Sequence, residues 1–321
     1  MTFKLMRPEV SDIHQIEFTD IYLGSEASWL SGVPMTSDPI PVPESCSEQM
    51  KRLRTQCDEI RNGRDVEDFN VQFEGVSYRA SIMQALRENV YVLRRAPAEI
   101  PPLESLGIPS VYIRTLMQKG LRGLVVVAGA FGQGKTTTAS ALLAARIAKF
   151  GGVAVCIEDP PELPLEGRRG EGVIYQRQVE RGGFAHECRQ VARWSPSAIF
   201  VGEVRDKETA AEALRASING RLVICTIHSY DAATAIDRIY SLAGGNDDVA
   251  SLMSNGIVAV LHQQLIGEPK RPLIEFLSLQ GDEAVGARNL IRMKRFEQLG
   301  NEIQIQRTRS LMSHNRQQET A

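Results

Sequence analysis

Gly129-Ala-Phe-Gly-Gln-Gly134-Lys135-Thr136 is the segment whose residue types and spacing point most directly to chemistry. It fits G-x-x-x-x-G-K-[ST] and stands between an apolar run, LVVVA, and a helix-forming run, TTTASALLAARIAKF. Glycines let a backbone wrap tightly enough for successive N–H groups to point at phosphate oxygens. A helix beginning near Lys135 adds the positive end of its dipole. In such a cradle Lys135 reaches the β- and γ-phosphates and the Thr136 hydroxyl ligates Mg²⁺. The candidate nucleotide-binding set is therefore Gly129, Gly132, Gln133, Gly134, Lys135, Thr136 and Thr137. A glycine turn that binds nothing is the bland alternative, and the full motif in its proper context outweighs it. The sequence has no Asn-Lys-x-Asp element for guanine, which favours ATP over GTP.

Hydrolysis further requires Mg²⁺ bridging the phosphates, a positioned water and positive charge near the transition state. Three polar segments follow apolar runs and supply candidates: Ile157-Glu158-Asp159-Pro160-Pro161-Glu162 after VAVC, Val201-Gly202-Glu203-Val204-Arg205-Asp206 after SAIF, and Thr226-Ile227-His228-Ser229 after RLVIC. Each lies just past a predicted parallel strand, the sheet edge at which α/β folds gather ligands. Glu203, at a strand end where a carboxylate can be dry and rigid, is assigned to the Mg²⁺ shell and to water positioning. Glu158 is the candidate for polarising the attacking water, with Asp159 and Glu162 in support. His228 is placed to contact or sense the γ-phosphate, although a lone histidine is more often structural. Arg177, Arg189, Arg193, Arg205 and Arg238 lie close to these segments in sequence and are candidate phosphate contacts, against the common fate of arginines as solvated surface charges.

Positioning these groups requires a regular scaffold, and from residue 120 the pattern provides one. Short apolar runs alternate with helical stretches, which implies a mainly parallel sheet covered on both faces. The part beyond about residue 247 reads as helical with one strand at PLIEFLSL. The first hundred residues have another texture. A Pro-rich loop (Pro34, Pro39, Pro41, Pro43) precedes an amphipathic helix over 46–62 with Met50, Leu53 and Cys57 on one side. FNVQFEGVSYRASI then alternates around a Glu-Gly turn as a hairpin should, and YVLRRAP reads as a strand.

The 321 residues, 43% of them hydrophobic, allow two compact domains. A net charge of -2 speaks against a dedicated nucleic-acid binder. Five dispersed cysteines without C-x-x-C spacing suggest reduced, buried thiols in a cytoplasmic protein. MTFKLMRPEV has no apolar signal core, and no apolar run approaches the roughly 20 residues of a membrane span.

The three polar segments resemble the Asp box, Walker B segment and His box of the secretion ATPase superfamily, in that order and at similar spacing. The likeness is strongest over about 120–240. Phe18-Thr-Asp-Ile-Tyr-Leu, Tyr78-Arg79, LESLGIP and Arg288-Asn-Leu-Ile-Arg292 extend it more weakly. Without the tetracysteine zinc insert of assembly ATPases, the chain is most similar to PilT-like and DotB-like members, and conjugal transfer ATPases fit as well. The resemblance implies an α/β fold: a small α+β PAS-like N-terminal domain (1–105), a RecA-like P-loop ATPase domain (106–312) and a disordered tail (313–321). It implies a homo-hexamer that hydrolyses ATP, recruited to the cytoplasmic face of the inner membrane by platform or secretion-complex proteins, with no direct nucleic acid. It also makes Arg79, Arg94 and Arg95 candidates for contacts in trans. Two departures stand out: Ala130-Phe131 replaces Pro-Thr in the P-loop, and Ser195-Pro-Ser197 replaces Asp-Pro-Asp. A RecA-like nucleic-acid translocase or helicase is the alternative function, and a non-hydrolysing scaffold a weaker one. No LSGGQ-like signature supports an ABC-type subunit.

Overall fold

The structure is a computed structural model and describes residues 11–64, 66–179 and 183–319. The N-terminal segment read for a signal core falls outside these residues, as do 320 and 321 of the expected tail. The chain divides into two compact units, Met1–Ala98 and Glu99–Ala321.

The first unit is an antiparallel sheet and one long helix. Its elements are β1 (Asp20–Leu23), β2 (Ser28–Ser31), β3 (Ile40–Pro41), α1 (Ser47–Arg64), β4 (Asp68–Phe73), β5 (Val76–Gln84) and β6 (Asn89–Arg95). The strands order as β3-β2-β1-β6-β5-β4. Glu74 and Gly75 both take positive φ (48° and 83°), which matches the hairpin turn to the right-handed strand twist. Alternation along β4 turns Phe69, Val71 and Phe73 inward, where they share a core with Met50, Leu53 and Cys57 of α1. The Pro-rich stretch is loop except for β3, a two-residue edge strand of the kind that tolerates proline.

The second unit runs α2 (Ser110–Leu116), β7 (Gly123–Ala128), α3 (Lys135–Phe150), β8 (Gly152–Glu158), β9 (Gly167–Arg169), β10 (Gly172–Gln178), α4 (Phe184–Arg193), β11 (Ala198–Val201), α5 (Lys207–Ile218), β12 (Leu222–Ile227), α6 (Ala232–Leu242), α7 (Asp247–Gly256), β13 (Ile257–Ile266), β14 (Arg271–Ser278), α8 (Val285–Arg292) and α9 (Leu299–Glu319). Its eight strands order as β14-β13-β7-β12-β11-β8-β10-β9, parallel from β13 to β10 and antiparallel at both edges. Alternate residues of one strand serve opposite cores. Val126, Ile157, Ile199 and Cys225 pack with α4 to α8, whereas Val125, Val127, Cys156 and Phe200 pack with α2 and α3. Burial on both faces explains why β7 and β12 read as unbroken apolar runs.

Two strands depart from the sequence reading. IVAVLHQQLI, expected as part of a helical region, is β13, the neighbour of β7. A fully buried strand has no polar face to set a period of two, so an apolar run cannot be told from a buried helix by pattern alone. GVIYQRQ forms β10 beside β8, a strand that the alternation of apolar runs and helices does not single out. The backbone is helical through Glu319, across much of the stretch expected as a disordered tail. All five cysteines are buried and free. Among the described residues, no helix is long and apolar enough to cross a membrane.

Candidate nucleotide site

Strand order assembles the site. β7, β12, β11 and β8 are consecutive in the sheet, so the segments at their C-terminal ends emerge side by side. Ala128 lies opposite Ile227, and Val201 opposite both Cys225 and Ile157. His228 therefore leaves the sheet next to the P-loop, Glu203 follows from β11, and Glu158 ends β8. Two hydrogen bonds tie the Glu203 loop to β12: the Thr226 hydroxyl donates to the Gly202 carbonyl (2.5 Å), and the Val204 N–H donates to the Thr226 carbonyl (2.9 Å). Beyond His228, Asp231 and Thr234 form a reciprocal capping box at the start of α6. Replacing such a cap by alanine typically costs about 1 kcal/mol, so the His segment is held from both sides.

The P-loop enters α3 through Gly134, a left-handed N-cap (φ 77°) that a side chain would strain. Lys135 is buried, 8% exposed, and its ammonium donates to the Ala130 carbonyl at 2.8 Å. Burial lowers its pKa, against opposing pulls from Glu203 and Glu162. The same ammonium lies 3.4 Å from His228 Nδ1, and His228 Nε2 lies 3.1 Å from Glu203 Oε1. Burial first, and Lys135 second, lower the His228 pKa. A neutral imidazole satisfies both contacts with one tautomer: Nε2–H donates to Glu203, and the Nδ1 lone pair accepts from Lys135. Phe131, 86% exposed, stacks on the His228 ring at 6.3 Å.

The acids divide by environment. Glu203 is 27% exposed and also meets Arg205 Nε at 3.5 Å. Glu158 is the dry one, 2% exposed, with Gln176 Nε2 donating to its Oε1 at 2.9 Å. Burial pushes its pKa up to about 7. The dryness expected of Glu203 thus belongs to Glu158. Glu203 sits two residues past its strand, in a loop, whereas Glu158 is the last residue of β8 with β11 and β10 on either side. Glu162 is exposed, and its backbone N–H serves Glu158. Arg205 spans Asp159 (3.8 Å) and Glu203.

Of the other arginines, Arg238 on α6 is exposed, and its charge is felt at His228. Arg177 pairs with Glu187 at 2.7 Å and covers Trp194, Arg189 pairs with Glu212 at 3.2 Å, and Arg193 is exposed in the last turn of α4. Arg79, Arg94 and Arg95 belong to the first unit, where Arg94 forms a two-point pair with Asp20 (2.7 and 3.1 Å) and Arg95 lies over Phe18. Gln133 turns its side chain toward β13. Thr136 and Thr137 are half-buried in the first turn of α3.

The donor set suits Mg²⁺, which takes oxygen ligands and commonly one or two protein groups alongside phosphates and water. The Thr136 hydroxyl and Glu203 carboxylate are such groups. Among the described residues, the one His/Asp/Glu trio close enough to share an ion is Asp12, His14 and Glu74 in the first unit. There the Gln49 amide already bridges the two carboxylates, at 3.0 and 2.5 Å.

Sequence reasoning missed Gln176, the donor to Glu158, and Gln263, which bonds the P-loop from β13. A glutamine at the end of an apolar strand was the available signal, and it was masked by the helical reading.

With this geometry in hand, comparisons with known proteins are specific. The family model for type II/IV secretion system protein matches residues 67–289. The chain is 33% identical over 244 residues to the type IV pilus retractation ATPase PilT of Pseudomonas aeruginosa, covering 74% of this chain and 69% of that one. It is 32% identical over 246 residues to a twitching motility protein of Neisseria gonorrhoeae, covering 74% and 64%. The matches thus span about two thirds of those relatives' length. The crystal structure of the pilus retraction motor PilT with bound ADP superposes with a TM-score of 0.75 at 26% identity, covering 93% of this chain and 90% of that one. The Legionella pneumophila ATPase DotB shares the fold, with a TM-score of 0.71 at 21% identity and coverage of 89% and 84%. The chain belongs to the type II/IV secretion system protein family, as a PilT-like ATPase.

Proposed function

We propose that this chain is a ring-forming motor that hydrolyses ATP to power a type IV pilus, type IV secretion or conjugative transfer machine, recruited by platform or secretion-complex proteins to the cytoplasmic face of the inner membrane. The observation that carries the reading is the contact chain Lys135–His228–Glu203 beside a complete P-loop. Lys135 and the P-loop amides hold the phosphates. Thr136 and Glu203 would hold Mg²⁺, which when bound would offset phosphate charge. Glu203, fixed by His228 and Arg205, also orients the water, and Glu158 is placed to take its proton, with Glu162 and Asp159 shaping the field around it. His228 lies between Lys135 and Glu203 and reports on the γ-phosphate. Arg205 and Arg238 carry positive charge within the same protomer, whereas Arg79 and Arg94 are candidates to act on a neighbour's nucleotide. If nucleotide sits between subunits, its turnover shifts their relative orientation, and a homo-hexamer converts that shift into cyclic motion.

The test is ATP hydrolysis per protomer as protein concentration rises, beside Glu203→Gln, with mass measured at each point. Specific activity that climbs as hexamer forms, and is lost in the variant, is the expected outcome. Equal specific activity in monomer and ring would contradict a shared site.

A further inference from the structure

Gln263 is 2% exposed, an amide set in the apolar strand β13 one residue past the position paired with Ala128. Its Nε2 donates to the Gln133 carbonyl at 2.5 Å. In return, the Gln133 side-chain oxygen accepts from the Leu265 N–H at 2.6 Å. The P-loop glycines close on the same strand residue. A Cβ on Gly129 would stand 2.5 Å from the Gln263 carbonyl oxygen, and one on Gly134 3.2 Å from Gln263 Nε2. First and last glycine of the motif therefore pack against one glutamine that is remote in sequence.

The consequence follows from peptide planarity. In a trans peptide the C=O and the next N–H point in opposite directions within one rigid plane. Holding the Gln133 carbonyl against β13 therefore turns the Gly134 N–H away from β13, and Gly134 is the N-cap of α3, immediately before Lys135. We propose that Gln263 is a positioning residue of the phosphate cradle, fixing the Gln133–Gly134 peptide so that its N–H is presented to nucleotide phosphate. The proposal rests on the reading of this loop as the ATP cradle. The two ends of the amide differ in their bonding: Nε2 is held by the Gln133 carbonyl. Gln263 Oε1 has no hydrogen-bond partner among the described residues, and a buried unpaired oxygen makes a poorer core residue than a methionine of similar size.

The test compares wild type, Gln263→Met and Gln263→Glu by equilibrium ATP·Mg²⁺ binding, KM and kcat, and thermal unfolding. Gln263→Met is expected to fold and to unfold at or modestly below the wild-type temperature, since the Gln133 carbonyl loses its donor while the unpaired Oε1 is removed. ATP affinity, in contrast, is expected to fall about 10–100-fold, the range for a lost bond to a charged group, and KM to rise by more than kcat falls. In Gln263→Glu a carboxylate faces the Gln133 carbonyl at high pH, whereas the protonated form donates to it. The ratio of the variant's dissociation constant to the wild type's is then expected to narrow as pH falls from 8 to 6. A stable Gln263→Met that binds ATP as wild type does would overturn the proposal and leave the cradle intact. If Gln263→Met fails to fold, a pH-independent ratio in Gln263→Glu overturns it equally. Wild type that binds no ATP would remove the cradle reading itself.

Discussion

The ends of β8 and β11 carry two carboxylates on adjacent strands, and they sit in different worlds. Glu158 is enclosed between β10 and β11, and the neutral side-chain amide of Gln176 donates to it. Glu203 stands in a loop among His228 and Arg205 and is partly wet. The difference is a matter of two residues. Ending a strand places a side chain inside the sheet's dry edge, while two further residues carry it out to the cations and the cradle. One edge of one sheet thus holds a carboxyl whose pKa burial pushes up to about 7 and a partly exposed one among cations; in the proposed function these are the proton acceptor and the Mg²⁺ ligand.

The comparison can be broken by exchanging charge for amide at each position. Glu203→Gln is expected to lower kcat by about 10²–10⁴-fold, a larger factor than its loss of ATP affinity, as read by steady-state kinetics. Glu158→Gln is expected to lower kcat about 100-fold, and wild-type turnover is expected to rise through about pH 7 as Glu158 loses its proton, a rise that the variant lacks. The same variant has a stability signature. Glu158 holds its proton more tightly in the folded chain (about 7) than at its ordinary value of 4.5. The contribution of Glu158 to stability is therefore most favourable below about pH 4.5, declines as pH rises towards about 7, and stays low above it. The shift corresponds to roughly 3 kcal/mol, so Glu158→Gln is expected to gain melting temperature over wild type at pH 8 and little at pH 5. An equal gain at both values would contradict the dry-acid account. The smallest effect sharpens the comparison. Gln176 pulls the Glu158 pKa down, so Gln176→Leu is expected to move the acidic limb of the pH–rate profile upward while leaving Glu203-dependent steps in place.

Much of this was legible without structure, because P-loop chemistry is written in consecutive residues. Gly129 to Thr136 and the segments around Glu158, Glu203 and His228 each follow a strand that the pattern shows. What escaped was the long-range layer. Gln263 lies 130 positions from Gln133, and Gln176 is 18 from Glu158, on strands whose identity the pattern did not give. Which of two strand-end acids is dry likewise depends on where each strand stops, which composition does not reveal. The Ala130-Phe131 departure places an exposed ring over His228.

The central claim is that binding and chemistry at this edge are carried by different groups of one ATP site. Equilibrium binding of ATP·Mg²⁺ alongside single-turnover hydrolysis, for Lys135→Ala and Glu203→Gln, addresses it most directly. Lys135→Ala is predicted to lose affinity by at least about tenfold, and Glu203→Gln, whose amide oxygen can still reach Mg²⁺, to lose less affinity than Lys135→Ala while failing to hydrolyse. Wild-type hydrolysis in Glu203→Gln, or undiminished affinity in Lys135→Ala, would contradict the account.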